Sequence, residues 1–323
     1  MEIKLSQSAQ ESLICPVCSS PLKLISETKS FKCQNAGCAN IFPVINDIPC
    51  IINENNSIFK INGFLENKDT FFVLGKEKKS LKSLIRKAIP SNSINIITKE
   101  NYKKFGEALL QKTSRPKVLI LGGSILGHGI KEFMTIPSID FVESDVSFGP
   151  RTMIILDSHN IPFKNQTFDG VIVQAVLEHV VDPYACVEEI HRVLNDDGLV
   201  YAETPFMQQV HGRQYDFTRF THLGHRRLFR KFSLFSDGAV CGPGMALSWS
   251  WMYFLNSFSE SKRLGSMLRI FGVFTSFFFK YFDYFLMKKS GTLDGASAYY
   301  FMGKKSNTAL SDHDLLQLYR GSF

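Results

Sequence analysis

The chain lacks a continuous apolar stretch at its start. MEIKLSQSAQESLICP interleaves charged and hydroxyl residues where a secretory leader needs an apolar core of about 7–15 residues, so an exported protein is not expected. The seven cysteines are therefore read in a reducing, cytoplasmic setting, where short cysteine spacings mark metal sites more often than disulfides. There is no long hydrophobic run in the aromatic-rich region 260–288 either. Its longest uncharged stretch, Ile270 to Phe279, falls well short of the ~20 residues that cross a bilayer. Internal repeats and low-complexity tracts are missing, which argues against a solenoid. The net charge of +7 is modest and permits an acidic partner without demanding one. What is present, 323 residues with 44% hydrophobic content, suffices for one enzyme-sized domain with smaller attachments.

Four cysteines fall before residue 40, as Cys15-Pro-Val-Cys18 and Cys33-Gln-Asn-Ala-Gly-Cys38. Two thiols on each of two turns can present a tetrahedral thiolate set, which is what zinc requires. This predicts a zinc-ribbon-like module over residues 1–52 that loses its own fold when the metal is stripped while an α/β core stays folded. Cys50, Cys186 and Cys241 stand singly among apolar residues and are expected in the core. Residues 53–95 are polar and carry a basic helix candidate, GKEKKSLKSLIRKAIPS, with Leu81, Leu84, Ile85 and Ala88 on one face and Lys78, Lys82 and Arg86 on another. The segment reads as a linker with a surface helix.

From residue 96 the pattern alternates helix and strand, which implies a parallel sheet with helices on both faces. NYKKFGEALLQK is a helix candidate and KVLIL a strand that empties into GGSILGHG, a Gly-x-Ser-x-x-Gly variant of a cofactor loop formed by Gly122, Ser124 and Gly127. Further strands are SIDFVES, RTMIILD, DGVIVQA and LVYAETP, with DPYACVEEIHRVL a helix, Asn195-Asp-Asp-Gly198 a turn, and ASAYYFMGKK a closing strand. In open α/β sheets the ligand sits beyond the carboxyl ends of the strands. The residues there are glycines, then Glu143 and Asp145, then Asp157, then Gln174. A carboxylate past the second strand can accept both hydroxyl protons of a ribose, and one past the third can accept from an adenine amino group. An adenosyl ligand is the expectation.

LILGGSILG, the acids at Glu143 and Asp145, the segment opening with Asp157, FDGVIVQAVLEHV and EEIHRVLNDDGLVYAETP resemble, in order, the motifs of class I S-adenosylmethionine-dependent methyltransferases of the type 11 group. The resemblance covers about residues 115–205. It implies an α/β Rossmann-like seven-stranded methyltransferase sheet over residues 96–240, with the zinc ribbon before it and a helical cap plus closing strand over 241–323. It also implies that Gly122, Gly123, Ser124 and Gly127 approach the methionine moiety of S-adenosylmethionine. Glu143 or Asp145 would hold the ribose, and Asp157 with Ser158 and Gln174 would complete the cofactor site. The sequence departs from the family at Ser124, where glycine is usual, and at Ile120, where an acid is usual.

The stretch TPFMQQVHGRQYDFTRFTHLGHRRLFRKF, residues 204–232, follows the fifth strand and resembles a bacterial subgroup of these enzymes associated with surface polysaccharides. Polar groups mixed with aromatics suit a small or glycan-like acceptor, and His211, Asp216 or His179 could take its proton. Two other readings stay open: an RNA methyltransferase whose zinc module recognises substrate, and a methyltransferase fold that serves only as a scaffold. In residues 260–288, Lys262, Arg269, Ser276, Lys280 and Asp283 converge on one stripe of a helix, with Phe271, Phe274, Phe278, Phe282 and Phe285 over the rest. The broad apolar face is expected to pack into a cap or a homodimer. The alternative is a helix lying in the inner face of a membrane.

Overall fold

The structure, a computed structural model, describes residues 3–66 and 89–322. The basic helix expected around Lys78, Lys82 and Arg86 lies outside the described residues. Eleven strands form one sheet instead of the expected seven: β1 (Leu22–Ile25), β2 (Ser30–Cys33), β3 (Ile41–Ile45), β4 (Ile48–Ile51), β5 (Lys117–Leu121), β6 (Asp140–Asp145), β7 (Ile154–Leu156), β8 (Phe168–Gln174), β9 (Leu194–Pro205), β10 (Phe232–Cys241) and β11 (Ala298–Lys305). Their order is β1-β2-β3-β4-β7-β6-β5-β8-β9-β11-β10. The run from β7 to β9 is parallel, and β11 enters antiparallel between β9 and β10.

The four extra strands come from the N-terminal module, and the reason is a pairing that periodicity does not reveal. Strand β4 lies parallel to β7, with Cys50 opposite Ile155 and Ile51 opposite Leu156. Residue Leu13 bridges to Phe163, the Ile14 amide donates to the Pro162 carbonyl at 3.0 Å, and the Lys164 amide donates to Ser12 at 2.9 Å. Leu5, Ala9, Leu13 and Phe31 share one apolar cluster with Phe163, Phe168 and Leu177. The module is thus fused to the edge of the large sheet through backbone hydrogen bonds and a common core.

Strands buried on both faces explain the apolar runs of β5 and β8, in which Val118, Leu119, Val171, Ile172 and Val173 have no exposure. On one face lies helix α1 (Thr98–Leu110), whose Tyr102, Phe105 and Leu109 pack with Phe133 and Tyr201. On the other lies α2 (Pro183–Val193), which begins as its sequence dictates: Pro183 in the first turn and Asp182 accepting from the Ala185 amide at 3.0 Å. Its Cys186, Val187, Ile190 and Val193 face the sheet. The expected turn at Asn195–Gly198 is instead the irregular start of β9, where the pairing with β8 shifts register and Asp197 adopts φ +64°. Strand β10 was not foreseen, because FSLFSDGAVC is broken by polar residues and by Gly238; it forms along β11 at the sheet edge.

In the C-terminal helices the apolar face of residues 260–288 is not covered within the chain, contrary to packing as a cap. Helix α3 (Pro243–Asn256) packs against α4 (Lys262–Ser276), which continues as a 3-10 turn over Phe277–Phe282 and a short turn over Asp283–Leu286. The polar stripe faces inward at Ser276, Lys280 and Asp283, while Phe271, Phe274, Phe278, Phe282 and Phe285 are exposed, at 44–67%. This arrangement has a physical basis. Asp283 accepts the Gly244 and Met245 amides at 2.7 and 2.9 Å, which satisfies the N-terminus of α3. Ser276 pairs with Ser248 at 3.1 Å, and Lys280 donates to the Ser91 carbonyl. Gly272 lets the helices touch, since a Cβ there would stand 2.9 Å from Met252 Cα. Small and polar residues make the contact, so the large rings are left outside. No helix among the described residues is long and apolar enough to cross a membrane.

Candidate active site

The carboxyl ends of β5, β6, β7, β8 and β9 converge where the sequence places its glycines and acids. After β5 the chain turns through Gly122 at φ +73°, where a Cβ would also meet Val176 Cγ2 at 2.4 Å. A Cβ at Gly127 would come within 2.1 Å of Gln174 Oε1, so the loop lies directly on the end of β8. Gly123 donates its amide to the Ser144 carbonyl at 2.8 Å. Ser124 is buried, and its amide donates to Asp145 Oδ2 at 3.2 Å. Space for its side chain comes from Gly149, where a Cβ would collide with Ser124 Cβ at 2.3 Å. The serine that breaks the glycine pattern is therefore matched by a glycine on the facing loop.

Each acid expected to hold the cofactor already has protein partners. Glu143, buried, makes a two-pronged pair with Arg151, Nε to Oε2 at 2.5 Å and Nη2 to Oε1 at 2.7 Å. Burial raises its pKa, with Arg151 opposing. Burial also raises that of Asp145, against the hydrogen bonds from Ser124. Asp157 accepts from Ser57 Oγ at 2.5 Å and from the His159 amide at 3.0 Å, and lies 2.6 Å from His159 Nδ1. Burial pushes the Asp157 pKa up, but these hydrogen bonds outweigh it and hold the carboxyl below its ordinary value. Ser158 is buried beside it. Ser57 belongs to the segment after β4, which runs over the ends of β6 and β7: Phe59 and Phe64 pack with Phe148 and Ile155, and Phe59 stacks on Tyr215 at 6.1 Å.

Gln174 is held by Tyr102, whose hydroxyl donates to Oε1 at 3.0 Å, while Nε2 donates to Glu203 at 2.8 Å and to the His128 carbonyl at 3.1 Å. Glu203, near the end of β9, also accepts from Thr98 and Tyr201, both at 2.5 Å. Burial raises the pKa of this carboxyl. Sequence reasoning missed Glu203 and Glu178, although both acids stand at strand ends, in YAETP and just past DGVIVQA. A cavity of about 280 Å³ opens beside the loop, lined by Gly127, Gln174, Glu178, Glu203, His211 and Met245. Its size is near the lower end for a small-molecule pocket.

Of the proposed proton acceptors, His211 lines this cavity and His179 lies next to it, with ring centroids 4.9 Å apart. Asp216 does not offer a free carboxylate. It accepts from the His211 and Gly212 amides at 2.7 and 3.0 Å and from both terminal nitrogens of Arg219, and so ties the loop after β9 together. His222 pairs with Asp237 at 3.1 Å, and burial pushes the His225 pKa down to about 3. In the N-terminal module Cys15, Cys18, Cys33 and Cys38 bring their sulfurs within 4.8 Å of one another, and none is in a disulfide.

Residues 137–202, about a fifth of the chain, match the family model described as Methyltransferase domain. The match spans β6, β7, β8 and most of β9, with helix α2 between the last two, within the parallel part of an α/β sheet of Rossmann-like order. Comparison with curated proteins finds no match. Among solved structures the chain is similar to a protein named as a sarcosine dimethylglycine methyltransferase from Galdieria sulphuraria, at 13% identity over 76% of this chain and 97% of that one, with a TM-score of 0.43. It is also similar to the 1,6-didemethyltoxoflavin-N1-methyltransferase of Burkholderia thailandensis, with 12% identity, 64% and 78% coverage and a TM-score of 0.38. A third is the [4+2]-cyclase SpnF, with 12% identity, 63% and 80% coverage and a TM-score of 0.36. A shared fold does not fix a reaction.

Proposed function

We propose that the chain is an S-adenosylmethionine-dependent methyltransferase that acts on a small or glycan-like acceptor at a membrane surface. The observation that carries the reading is the glycine loop, Gly122 to Gly127, pressed on the end of β8 at the mouth of an open cavity, just before the residues 137–202 that match the methyltransferase model. Residues Gly122, Gly123, Ser124 and Gly127 would take the methionine part of the cofactor. Asp145 and Glu143 would take the ribose, and Asp157 with Ser158 the adenine. Because these acids are engaged with Arg151, Ser57 and His159, the bound cofactor exchanges with or adds to those contacts. Methyl transfer needs in-line approach to the sulfonium, so positioning by the cavity walls supplies much of the rate.

The four cysteines are the proposed zinc ligands. Sulfur pairs stand 3.7 Å (Cys15 and Cys38) and 3.4 Å (Cys18 and Cys33) apart, near the ~3.8 Å edge of a tetrahedron with ordinary Zn–S bonds. Asn40 donates to Cys38 at 3.0 Å, while burial raises the pKa of Cys15 and Cys33, a penalty on the bare thiolates that a bound cation would offset.

The outward phenylalanines of α4 and the turns after it support a membrane contact over a buried cap. Lys262, Arg263, Arg269, Lys288 and Lys289 are exposed around them, and Glu260 is the one exposed acid of residues 260–289. Apolar rings inside a basic rim complement an anionic lipid surface. The site itself would then work from the cytoplasmic side. Incubating the protein with methyl-labelled S-adenosylmethionine and a lipid-and-glycan extract tests the activity. Label in the extract is expected from the parent and, at subsaturating cofactor, much less of it from Gly127→Ala; no transfer from the parent to any fraction would favour the scaffold reading.

A further inference from the structure

We propose that Glu178, His179 and His211 bind a divalent first-row transition-metal ion whose open positions face the acceptor cavity. Glu178 has no exposed surface, and neither carboxylate oxygen has a hydrogen-bond donor. A buried, unpaired carboxylate is costly enough that a structure keeps one only with a compensating charge. Two imidazoles face the same oxygen: His179 Nε2 stands 3.7 Å and His211 Nε2 3.6 Å from Glu178 Oε1. All three ligand atoms lie within 4.8 Å of one another.

The far side of each ring fixes its tautomer. His179 Nδ1 is 2.8 Å from the Tyr215 carbonyl and His211 Nδ1 is 3.3 Å from the Gln209 carbonyl. A carbonyl can only accept, so both Nδ1 atoms carry hydrogen, and a neutral ring then turns the lone pair of Nε2 toward Glu178. Three ligand atoms, Glu178 Oε1 and the two Nε2 atoms, are thereby gathered around one point, an arrangement that a cation completes. Carbonyl-held Nδ1 with outward Nε2 is how metal-binding histidines are oriented. The two histidine–glutamate separations are wider by about 0.3 Å than in a tetrahedral site with ordinary Zn–N and Zn–O bonds, and the third lies within 4.8 Å, so metal binding would draw the rings inward. The surrounding chain makes room for the arrangement. A Cβ at Gly212 would strike the His179 ring at 2.5 Å, and the Phe217 and Thr218 amides hold the Glu178 carbonyl.

Two imidazoles and one carboxylate suit manganese, iron(II) or zinc and leave positions for outside ligands. The consequence for chemistry rests on the methyltransferase reading. An acceptor hydroxyl bound to the ion would release its proton to solvent. The oxygen would then form a bond to the methyl carbon as the carbon–sulfur bond breaks, its electron pair staying on sulfur in S-adenosylhomocysteine. In this account His211 and His179 are ligands, not general bases.

The test is binding of Mn2+, an ion poorly suited to four thiolates, to protein that already carries zinc at its cysteines. Free Mn2+ is followed by electron paramagnetic resonance. One Mn2+ per chain is expected, with Glu178→Gln and His211→Ala each weakening it roughly tenfold or more. Mn2+ should raise the melting temperature of the parent and not of Glu178→Gln, a variant that relieves the buried charge and should fold without metal. No Mn2+ or Zn2+ beyond the cysteine equivalent, or undiminished binding in Glu178→Gln, overturns the proposal. If Mn2+ binds while S-adenosylmethionine does not, the methyltransferase reading fails alone; the reverse result sinks only the metal.

Discussion

Ser57 donates its hydroxyl to Asp157 Oδ2 at 2.5 Å, joining the segment after the N-terminal module to the end of the third core strand. The same carboxylate holds His159, and Asp157 raises the His159 pKa through their hydrogen bond. Because the folded pKa of Asp157 is depressed, its stabilisation is full above roughly pH 4 and is lost as pH falls through the folded value. The folded pKa of His159 is raised, so its contribution is full below roughly pH 6.5 and is lost as pH rises through the folded value. Melting temperature measured against pH should therefore peak between those limits. His159→Gln should remove this pair's share of the alkaline decline; an unchanged alkaline slope would contradict the account.

The Glu143–Arg151 pair allows a cleaner energetic statement. Arg151→Ala leaves a buried carboxylate without its partner and should cost about 2 kcal/mol or more. Adding Glu143→Ala should recover much of that loss, since the stranded charge goes with it. Denaturant midpoints of the two single variants and the double variant measure the coupling. Additive losses would mean that the pair is not coupled.

The N-terminal strands share a core and a parallel ladder with the large sheet, so metal removal should not act on the module alone. Chelation is expected to lower a single thermal transition of the whole molecule, unlike the independent melting that the cysteine spacing suggests by itself. Scanning calorimetry with and without chelator reads this. Two separate transitions after chelation would show the module to be energetically independent.

On the exposed aromatic face the expectation is flotation with anionic vesicles. Phe274→Glu with Phe278→Glu, both at outward positions, should abolish it while leaving the zinc content and helical signal of the protein intact. A parent that stays with the soluble fraction, or that elutes as a dimer covering this face, would move the phenylalanines to a protein interface.

Much of the α/β core was legible because β5 and β8 are buried on both sides and read as apolar runs, and because Asp182-Pro183 announces its helix. The glycines of the loop were legible for the same kind of reason: a fixed spacing serves a fixed geometry. Partnerships across long sequence distances were not. Nothing in the pattern places Ser57 on Asp157, β4 on β7, or His211 against Glu178, since each depends on how loops cross the ends of strands. The direction in which the apolar face of residues 260–288 points was not legible, because periodicity shows which residues share a face and not which way it points. Gly272, Ser276 and Asp283 decided that by packing on α3.

The central claim is cofactor binding at the glycine loop, and calorimetric titration of S-adenosylmethionine into the parent and into Gly127→Ala tests it most directly. A methyl group at Gly127 would meet Gln174 Oε1 at 2.1 Å, so either Gln174 leaves its hydrogen bonds to Tyr102, Glu203 and His128 or the loop shifts, and both disturb the cofactor site. The account predicts saturable one-to-one binding by the parent, weakened roughly tenfold or more in a folded Gly127→Ala, a loss of about 1.4 kcal/mol or more. No binding by the parent, or equal affinity in the two proteins, would contradict it.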